Sequence, residues 1–240
     1  MKNTVKFILQ KVLGFQFYLY VFSLFKIRTL KSDSNEKDFF HFLSLLKDGE
    51  GSILDVGANI GIMTAHLGRN FPSTTIHVFE PMPINILILK RIIAKFDLKT
   101  VKIHEIAVGD SKGTVKMILP ENGKTKMQGL SHIKHESITE WNEGQEFDVQ
   151  LNTLDTVLGN EKIQGIKIDV ENFEYFALNG AKKLLERNHP IVYAELWDNQ
   201  NRTNCFELLN SLGYKTFIVK ENKLILFDAN KHINQNFIFC

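Results

Sequence analysis

The chain has 240 residues, of which 44% are apolar and 23% are charged, and its formal net charge is +2. This length and composition are typical of one sizeable globular domain, and a charge so close to balance gives no reason to expect a nucleic-acid partner. The two cysteines, Cys205 and Cys240, have no metal-ligand or disulfide spacing. The sequence therefore argues against a zinc site and for a reducing, cytoplasmic compartment.

The N-terminal segment, residues 1–37, is rich in aromatic and basic residues, and we predict a helical extension there. Its apolar part, residues 12–25, is shorter than the roughly 20 residues that span a bilayer, and no A-x-A-like cleavage site follows it. Three interpretations stay open. The segment is a helix packed on the main domain or on a second subunit of a homodimer, an interfacial helix that brings residues 1–30 into peripheral contact with a membrane, or a cleaved signal.

From residue 52 onward, short apolar runs alternate with helical segments, which is the pattern of a parallel sheet covered by helices. The expected helices are 60–69, 84–96, a segment that ends at 186, and 203–212. The expected strands are 52–56, 75–80, 101–108, 113–119, 147–151, 166–170, 191–196, 215–219 and 223–227. The polar residues 121–145 are predicted to be an insertion loop. These elements predict an α/β domain over residues 38–240, with a doubly wound, mostly parallel, seven-stranded sheet and a C-terminal antiparallel hairpin.

A glycine-rich turn, Asp55-Val-Gly-Ala-Asn-Ile-Gly61, ends the first of these strands and opens a helix. Nucleoside cofactors bind at this edge of α/β sheets. The G-x-x-x-G spacing differs from the G-x-G-x-x-G of dinucleotide sites, and the carboxylate of Asp55 would repel a diphosphate but suits an ammonium or sulfonium group. Glu80 ends the second strand, where an acid can bind ribose hydroxyls. We therefore expect S-adenosyl-L-methionine as the cofactor, with a purely structural turn as the alternative.

Five separated motifs resemble those of the FkbM family of methyltransferases. They are LDVGANIG at 54–61, FEP at 79–81, KIDVENFEYFALNGA at 167–181, YAEL at 193–196 and LGY at 212–214. The resemblance extends over residues 53–219. It implies a class I methyltransferase fold, which is Rossmann-like, with S-adenosyl-L-methionine as cofactor and methyl transfer that is commonly O-methylation.

The resemblance also implies roles for individual residues. Asp169 and Glu171 would face the methyl-transfer site, with Asp169 also at the cofactor. Asn172 departs from the family pattern, which usually has glycine there, and asparagine is the residue other than glycine that best tolerates left-handed backbone angles. The remaining implied cofactor-binding residues are Asp55, Gly57, Ala58, Asn59 and Gly61 for methionine and ribose, Glu80 for the ribose hydroxyls, and Ile106 and Ala107 for adenine.

Three acids stand at the carboxyl ends of predicted strands: Asp169, Glu171 and Glu195. Repulsion among them would raise at least one carboxyl pKa, which suits a general base near neutral pH. We predict that Asp169 or Glu171 is the base and that Glu195 orients the acceptor or the cofactor. Glu174 is expected to be solvated at a helix N-terminus. No oxygen-ligand loop is evident, so we predict no metal site.

The acceptor is the least determined part of the prediction. A hydroxyl of a sugar, a glycan or its lipid-linked precursor, or of another small molecule is expected, and methylation of nitrogen stays open. His132 and His135, in the insertion loop, are alternative bases. Two other functions also stay open. One is a non-catalytic subunit that binds S-adenosylmethionine or a nucleoside, and the other is a nicotinamide-dependent oxidoreductase.

Overall fold

A computed structural model describes residues 2–123, 125–136, 138 and 140–240. The helices are α1 (Lys2–Leu13), α2 (Phe15–Thr29), α3 (Lys37–Leu45), α4 (Ile62–Asn70), α5 (Pro83–Lys95), α6 (Leu154–Leu158), α7 (Glu174–Asn179), α8 (Lys182–Asn188) and α9 (Gln200–Ser211). The strands are β1 (Ser52–Val56), β2 (Ile76–Phe79), β3 (Val101–His104), β4 (Ala107–Val108), β5 (Gly113–Asn122), β6 (Thr125–Lys126), β7 (His132–Ile133), β8 (Gly144–Asn152), β9 (Ile163–Ile168), β10 (Ile191–Glu195), β11 (Thr216–Lys220), β12 (Lys223–Leu226) and β13 (Asn236–Phe239).

The main sheet has the strand order β12-β11-β13-β10-β9-β1-β2-β3. The five strands from β10 to β3 are parallel to one another, and β13, β11 and β12 are antiparallel to their neighbours. The α/β fold, its parallel centre and the hairpin of β11 and β12 are confirmed. The prediction of seven strands is wrong, because the described residues place eight in this sheet. The unpredicted strand, β13, follows a polar segment and inserts between β10 and β11.

The central parallel strands are buried on both faces and are rich in apolar residues, whereas the edge strand β3 is partly exposed. All five residues of β1 are buried. Leu54 and Val56 pack on the side of α6 to α9, together with Leu184 and Leu209. Ile53 packs on the opposite side in a second core that contains residues of α3 and α4. Covering each face in this way leaves the carboxyl ends of the strands as the open edge, where a ligand can bind.

Among the described residues of 121–145, predicted to be an insertion loop, the strands are β6, β7 and the adjoining ends of β5 and β8. These strands belong to a second, smaller sheet. Its strands have the order β4-β8-β5-β6, with β7 paired to β5. The pairing of β5 with β8 runs from Gly113 opposite Leu151 to Pro120 opposite Gly144. A 3₁₀ turn, Gln128–Leu130, lies between β6 and β7. This sheet stands at the carboxyl edge of the main sheet and contributes one wall of the site described below.

The N-terminal helices pack on the main domain. Tyr18, Leu19 and Ile27 of α2 join a core that includes Ile88 of α5, and Ser23 Oγ donates a hydrogen bond of 3.0 Å to the carbonyl of Ile60. No single helix in the described part of the chain is long and apolar enough to cross a membrane. The α1–α2 pair meets the length and composition of a span only when taken together, with a bend of 119° between the two helices.

Candidate active site

The turn after β1 needs its glycines for close approach of two backbones. Gly57 has φ 79°, and a Cβ atom there would lie 1.8 Å from the carbonyl oxygen of Asp169. Gly61 begins α4 with φ 81°, and a Cβ atom there would lie 2.9 Å from Leu89 Cδ1. Neither position accepts a side chain without movement of its neighbours. The turns after β1 and β9 are therefore in direct contact, which brings the two groups of predicted site residues together.

Asp55 lies below this turn, not in the wall of the site. Its side chain is fully buried, Thr64 Oγ1 donates a 2.6 Å hydrogen bond to one carboxylate oxygen, and Lys167 Nζ is 3.3 Å from the other. Lys167 also donates a 2.9 Å hydrogen bond to the carbonyl of Gly57. The expectation that the Asp55 carboxylate lines the cofactor is thus corrected. Its charge is compensated within the protein, and it holds the turn in shape.

Glu80 connects three parts of the site. Its carboxylate accepts hydrogen bonds from the backbone of Asn59 and of Met82, both 2.8 Å, and from Asn85 Nδ2 at 3.2 Å. Burial raises the pKa of Glu80 to about 7, although these three donors favour the ionised form. Glu80 therefore presents an oriented carboxylate where the sequence places an acceptor for ribose hydroxyls.

A cleft of about 560 Å³, including its solvent-open mouth, extends from Glu80 across the ends of β1 and β9. Ile106 and Ala107, both predicted at adenine, lie in its wall with Met82. Met117 and Ile133 complete the apolar lining from the smaller sheet. The lining combines apolar surface with a few polar groups, as small-molecule sites do.

Two of the three predicted acids lie at the other end of this cleft, and the third lies on the adjacent strand. Asp169 and Glu171 line it, and Glu195 ends the adjacent strand β10. Burial raises the pKa of Glu171 to about 9, with further increases from Asp169 and Glu195. Burial also raises the pKa of Glu195 to about 7, and the charges of Asp169 and Glu36 act in the same direction. Within the described residues, no hydrogen-bond donor contacts the carboxylate of Glu171 or Glu195, and no cluster of side chains has the arrangement of a metal site.

The loop that carries Glu171 has an unusual backbone. Glu171 and Asn172 are consecutive left-handed residues, with φ 52° and 73°, as the replacement of glycine by asparagine at 172 allows. Glu174 is only 2% exposed and accepts hydrogen bonds from the backbone of Val170 and Asn172, at 2.8 and 3.3 Å. Burial raises the pKa of Glu174 to about 8. The expectation that Glu174 is solvated is wrong, because its carboxyl group is buried and accepts hydrogen bonds from the backbone of this loop.

A second groove meets the cleft on the side of α2. Phe22, Lys26 and Glu36 line its outer part, and Lys167 and Asp169 line its inner part. The cleft and the groove share Gly57, Asn59, Gln128 and Asp169, and the amide of Gln128 is hydrogen-bonded to the side-chain oxygen of Asn59. Glu36, Lys167 and Gln128 were not predicted from the sequence. Of these three residues, only Lys167 could have been noticed in the sequence, because it is a lysine inside an apolar predicted strand, two residues before Asp169.

His132 belongs to strand β7 of the smaller sheet, and His135 lies just after that strand. Both ring nitrogens of His132 lie near oxygens, with Nδ1 2.9 Å from the carbonyl of Leu130 and Nε2 3.2 Å from Asn142 Oδ1. The ring of His135 lies 4.7 Å from that of Phe176. These contacts favour the carboxylates over the histidines as the reactive groups.

The fold and the cleft together define an α/β protein that binds a nucleoside cofactor at the carboxyl edge of its sheet, with acids at the reacting end. Residues 55–219 match the model of the methyltransferase FkbM domain, so the chain belongs to the FkbM methyltransferase family. It is an S-adenosylmethionine-dependent methyltransferase, and not a nicotinamide-dependent oxidoreductase. The resemblance found in the motifs is confirmed.

Individual relatives agree with this assignment. The chain is 29% identical over 193 residues to methyltransferase sdnD of Sordaria araneosa, covering 68% of this chain and 73% of that protein. It is 26% identical over 181 residues to methyltransferase 1 of Beauveria bassiana, covering 68% and 71%. The crystal structure of methyltransferase FkbM from Methylobacillus flagellatus superposes with a TM-score of 0.54 at 15% identity, over 82% of this chain but 45% of the other. That similarity supports the fold.

The site fits S-adenosylmethionine by its own chemistry. The apolar wall at Ile106 and Ala107 offers a surface for adenine, and the buried carboxylate of Glu80 can accept hydrogen bonds from ribose hydroxyls. The acids at the far end of the cleft can compensate the positive charge of a sulfonium group. The residues present are therefore those that this cofactor requires.

Proposed function

We propose that the protein transfers a methyl group to a hydroxyl oxygen of a sugar, a glycan or a similar small hydroxylated acceptor. The observation that carries the proposal is the group of partly exposed acids at one end of the cleft, where Asp169 and Glu171 line it and Glu195 ends the adjacent strand. Glu171 and Glu195 have raised pKa values and no described donor holds them. A hydroxyl group is a weak nucleophile until its proton is removed, so an acceptor of this class requires such a base.

Glu80, Ile106 and Ala107 would hold S-adenosylmethionine, which would supply the methyl group to the acceptor oxygen and leave as S-adenosylhomocysteine. A carboxylate at the other end of the cleft would take the proton of the acceptor hydroxyl. Glu171 is the strongest base of the group once it is ionised, because its pKa is the highest. A cation bound beside it favours the ionised form. Asp169, whose carboxylate is 3.9 Å from Lys167 Nζ, is the other candidate. Glu195, on the neighbouring strand, orients the acceptor.

The groove beside α2 supports a polyhydroxylated acceptor. Its outer part combines the aromatic ring of Phe22 with the charged groups of Lys26 and Glu36, and its inner end reaches Asp169. Aromatic faces and charged hydrogen-bonding groups together are suited to sugars, which have apolar faces and many hydroxyls. The groove therefore offers a path by which an acceptor reaches the base without crossing the cofactor cleft.

The test has two stages. Calorimetric titration of S-adenosylhomocysteine first establishes the cofactor site, and S-adenosylmethionine with a labelled methyl group is then offered with panels of sugars, glycans and amines. We expect label in a methyl ether. Label on nitrogen, or tight cofactor binding with no transfer to any hydroxyl compound, would count against the proposal, and the second outcome favours a non-catalytic cofactor-binding subunit.

A further inference from the structure

Charge is unevenly distributed along this chain. The first 32 residues contain six lysines and arginines and no acid, whereas the remaining 208 contain 23 basic and 27 acidic residues. The net charge of +2 conceals this asymmetry. Helices α1 and α2 therefore form a basic part on a domain that is otherwise slightly acidic.

Helix α1 presents its apolar side to solvent. Gln10 is buried, and its amide exchanges two hydrogen bonds with the backbone of Lys126, at 3.1 and 3.3 Å. Ile8, Leu9 and Val12 are 52%, 41% and 75% exposed. This is the reverse of the usual arrangement on a globular domain, in which a surface helix turns its apolar side inward.

Helix α2 exposes apolar side chains as well. Phe17, Val21 and Phe25 recur at four-residue spacing and are 47%, 42% and 60% exposed, while Tyr18 and Ile27 are buried against the domain. Of the twelve large apolar side chains that the described residues leave exposed, eight belong to α1 and α2. Exposed apolar groups concentrated on one surface mark a binding site, whereas scattered ones are ordinary.

We propose that this surface, the outer side of α1 and α2, docks the protein on a membrane that contains anionic phospholipids. Apolar and aromatic side chains beside Lys11 and Arg28 match an interface in which acyl chains lie below negative headgroups. Lysine and arginine side chains near such a surface are attracted by its negative potential. A second copy of the chain is a poorer partner, because symmetric pairing would bring two basic surfaces together.

Docking through this surface has a consequence for the acceptor. Phe22 is 37% exposed on α2 and also lines the groove that leads to Asp169. A hydroxylated acceptor carried by a lipid would therefore enter the groove at the membrane surface. This consequence rests on the proposed function, but the docking itself does not.

Vesicle co-sedimentation of the full chain tests the docking. We expect binding to vesicles of equimolar phosphatidylcholine and phosphatidylglycerol, and little to phosphatidylcholine alone. Replacing Phe17, Val21 and Phe25 by serine, or Lys11 and Arg28 by glutamate, should weaken binding to the anionic vesicles by about tenfold or more. The matched control replaces Leu226 and Ile233, which are 61% and 102% exposed elsewhere on the chain, by serine and should bind as the wild type does.

Calorimetric binding of S-adenosylhomocysteine by every variant shows that the fold is retained, and it separates docking from the proposed reaction. The proposal is overturned if the wild type binds neither kind of vesicle. It is overturned equally if the control variant at Leu226 and Ile233 loses as much affinity for anionic vesicles as the variants in α1 and α2. It is also overturned if the wild type is a dimer that the serine variant dissociates and neither binds vesicles.

Discussion

Glutamates with raised pKa values lie at and beside the two ends of the cleft, in contrasting surroundings. Glu80 is 4% exposed and accepts three hydrogen bonds from protein donors. Glu171 and Glu195 have no such donors among the described residues and lie beside other carboxylates. Burial raises the pKa of all three. The comparison shows that burial alone does not assign a role, because the donors distinguish a group held for binding from one left free to exchange a proton.

The energetic difference follows from those partners. A hydrogen bond to a charged group contributes about 1.5–3 kcal/mol, so the donors around Glu80 offset part of the cost of burying its charge. Nothing comparable is described at Glu171, and its neighbours add repulsion. The carboxylate of Glu80 is therefore held in place by protein donors before the cofactor binds. At the second end Lys167 favours the ionised carboxylates only in part, and a bound cation would favour them further.

The largest effect should be a loss of turnover when the acids at the Asp169 and Glu171 end of the cleft are replaced. Asp169→Asn and Glu171→Gln remove the candidate bases with little change of shape, and we expect the variant that lacks the true base to lose about 10²–10⁴-fold in turnover while it still binds S-adenosylhomocysteine. Turnover by single-turnover assay and affinity by calorimetry measure the two effects separately. The exposed Glu207→Gln serves as the control. Near-normal turnover in both variants would show that neither carboxylate is the base.

The next largest effect should be a loss of cofactor affinity when Glu80 is replaced. Glu80→Gln keeps an acceptor oxygen for the backbone donors but removes the charge, so we expect affinity for S-adenosylhomocysteine to fall about 10- to 100-fold, the equivalent of about 1.5–3 kcal/mol. Glu80→Ala should also lower stability, because Asn59 and Met82 lose their hydrogen-bond acceptor. Calorimetry and thermal melting measure these changes. Unchanged affinity in Glu80→Gln would mean that the carboxylate does not contact the ribose.

The smallest effect is a dependence of stability on pH. Glu80, Glu195, Glu174 and Glu171 have pKa values raised from 4.5 to about 7, 7, 8 and 9. The folded state therefore binds more protons than the unfolded state, so their contribution to stability is complete below about pH 4.5 and declines as pH rises towards 9. Each kcal/mol lost lowers Tm by about 2–4 °C in a domain of this size.

Thermal melting of the cofactor-free protein between pH 5 and pH 9 measures this dependence. Glu171→Gln should flatten the decline above pH 7, since it removes the group with the highest pKa. Glu207→Gln should follow the wild type. A melting temperature that rises between pH 7 and pH 9 would contradict the raised pKa values.

Much of the site could be predicted because its signals are local. Strand β1 was predicted with the bounds that the structure shows, since a short run containing Ile53, Leu54 and Val56 directly before a glycine turn has few alternatives. Glu80, Asp169 and Glu195 follow from the same logic, because an acid that ends a buried strand has no reason in packing to be there. Parallel strands then bring those ends to one edge of the sheet.

Other features depended on contacts between distant residues. Strand β13 pairs with both β10 and β11. The local sequence does not show which strands it pairs with, so its position between them could not be predicted. The register of β1 against β9 places Asp55 opposite Lys167, and that pairing turned a predicted cofactor ligand into an internal support. Glu174 was misjudged for the same reason, because its burial depends on how the loop before α7 folds back.

The sequence by itself determined the fold class, the family, the cofactor and the edge of the sheet where the chemistry takes place, because these depend on periodicity and on short motifs at strand ends. Only the tertiary structure decided which carboxylates have partners, that Glu36 from the N-terminal segment joins the acids, and that α1 turns its apolar side outward. Those properties depend on register and packing between segments far apart in the chain, where each contact is set by all the others.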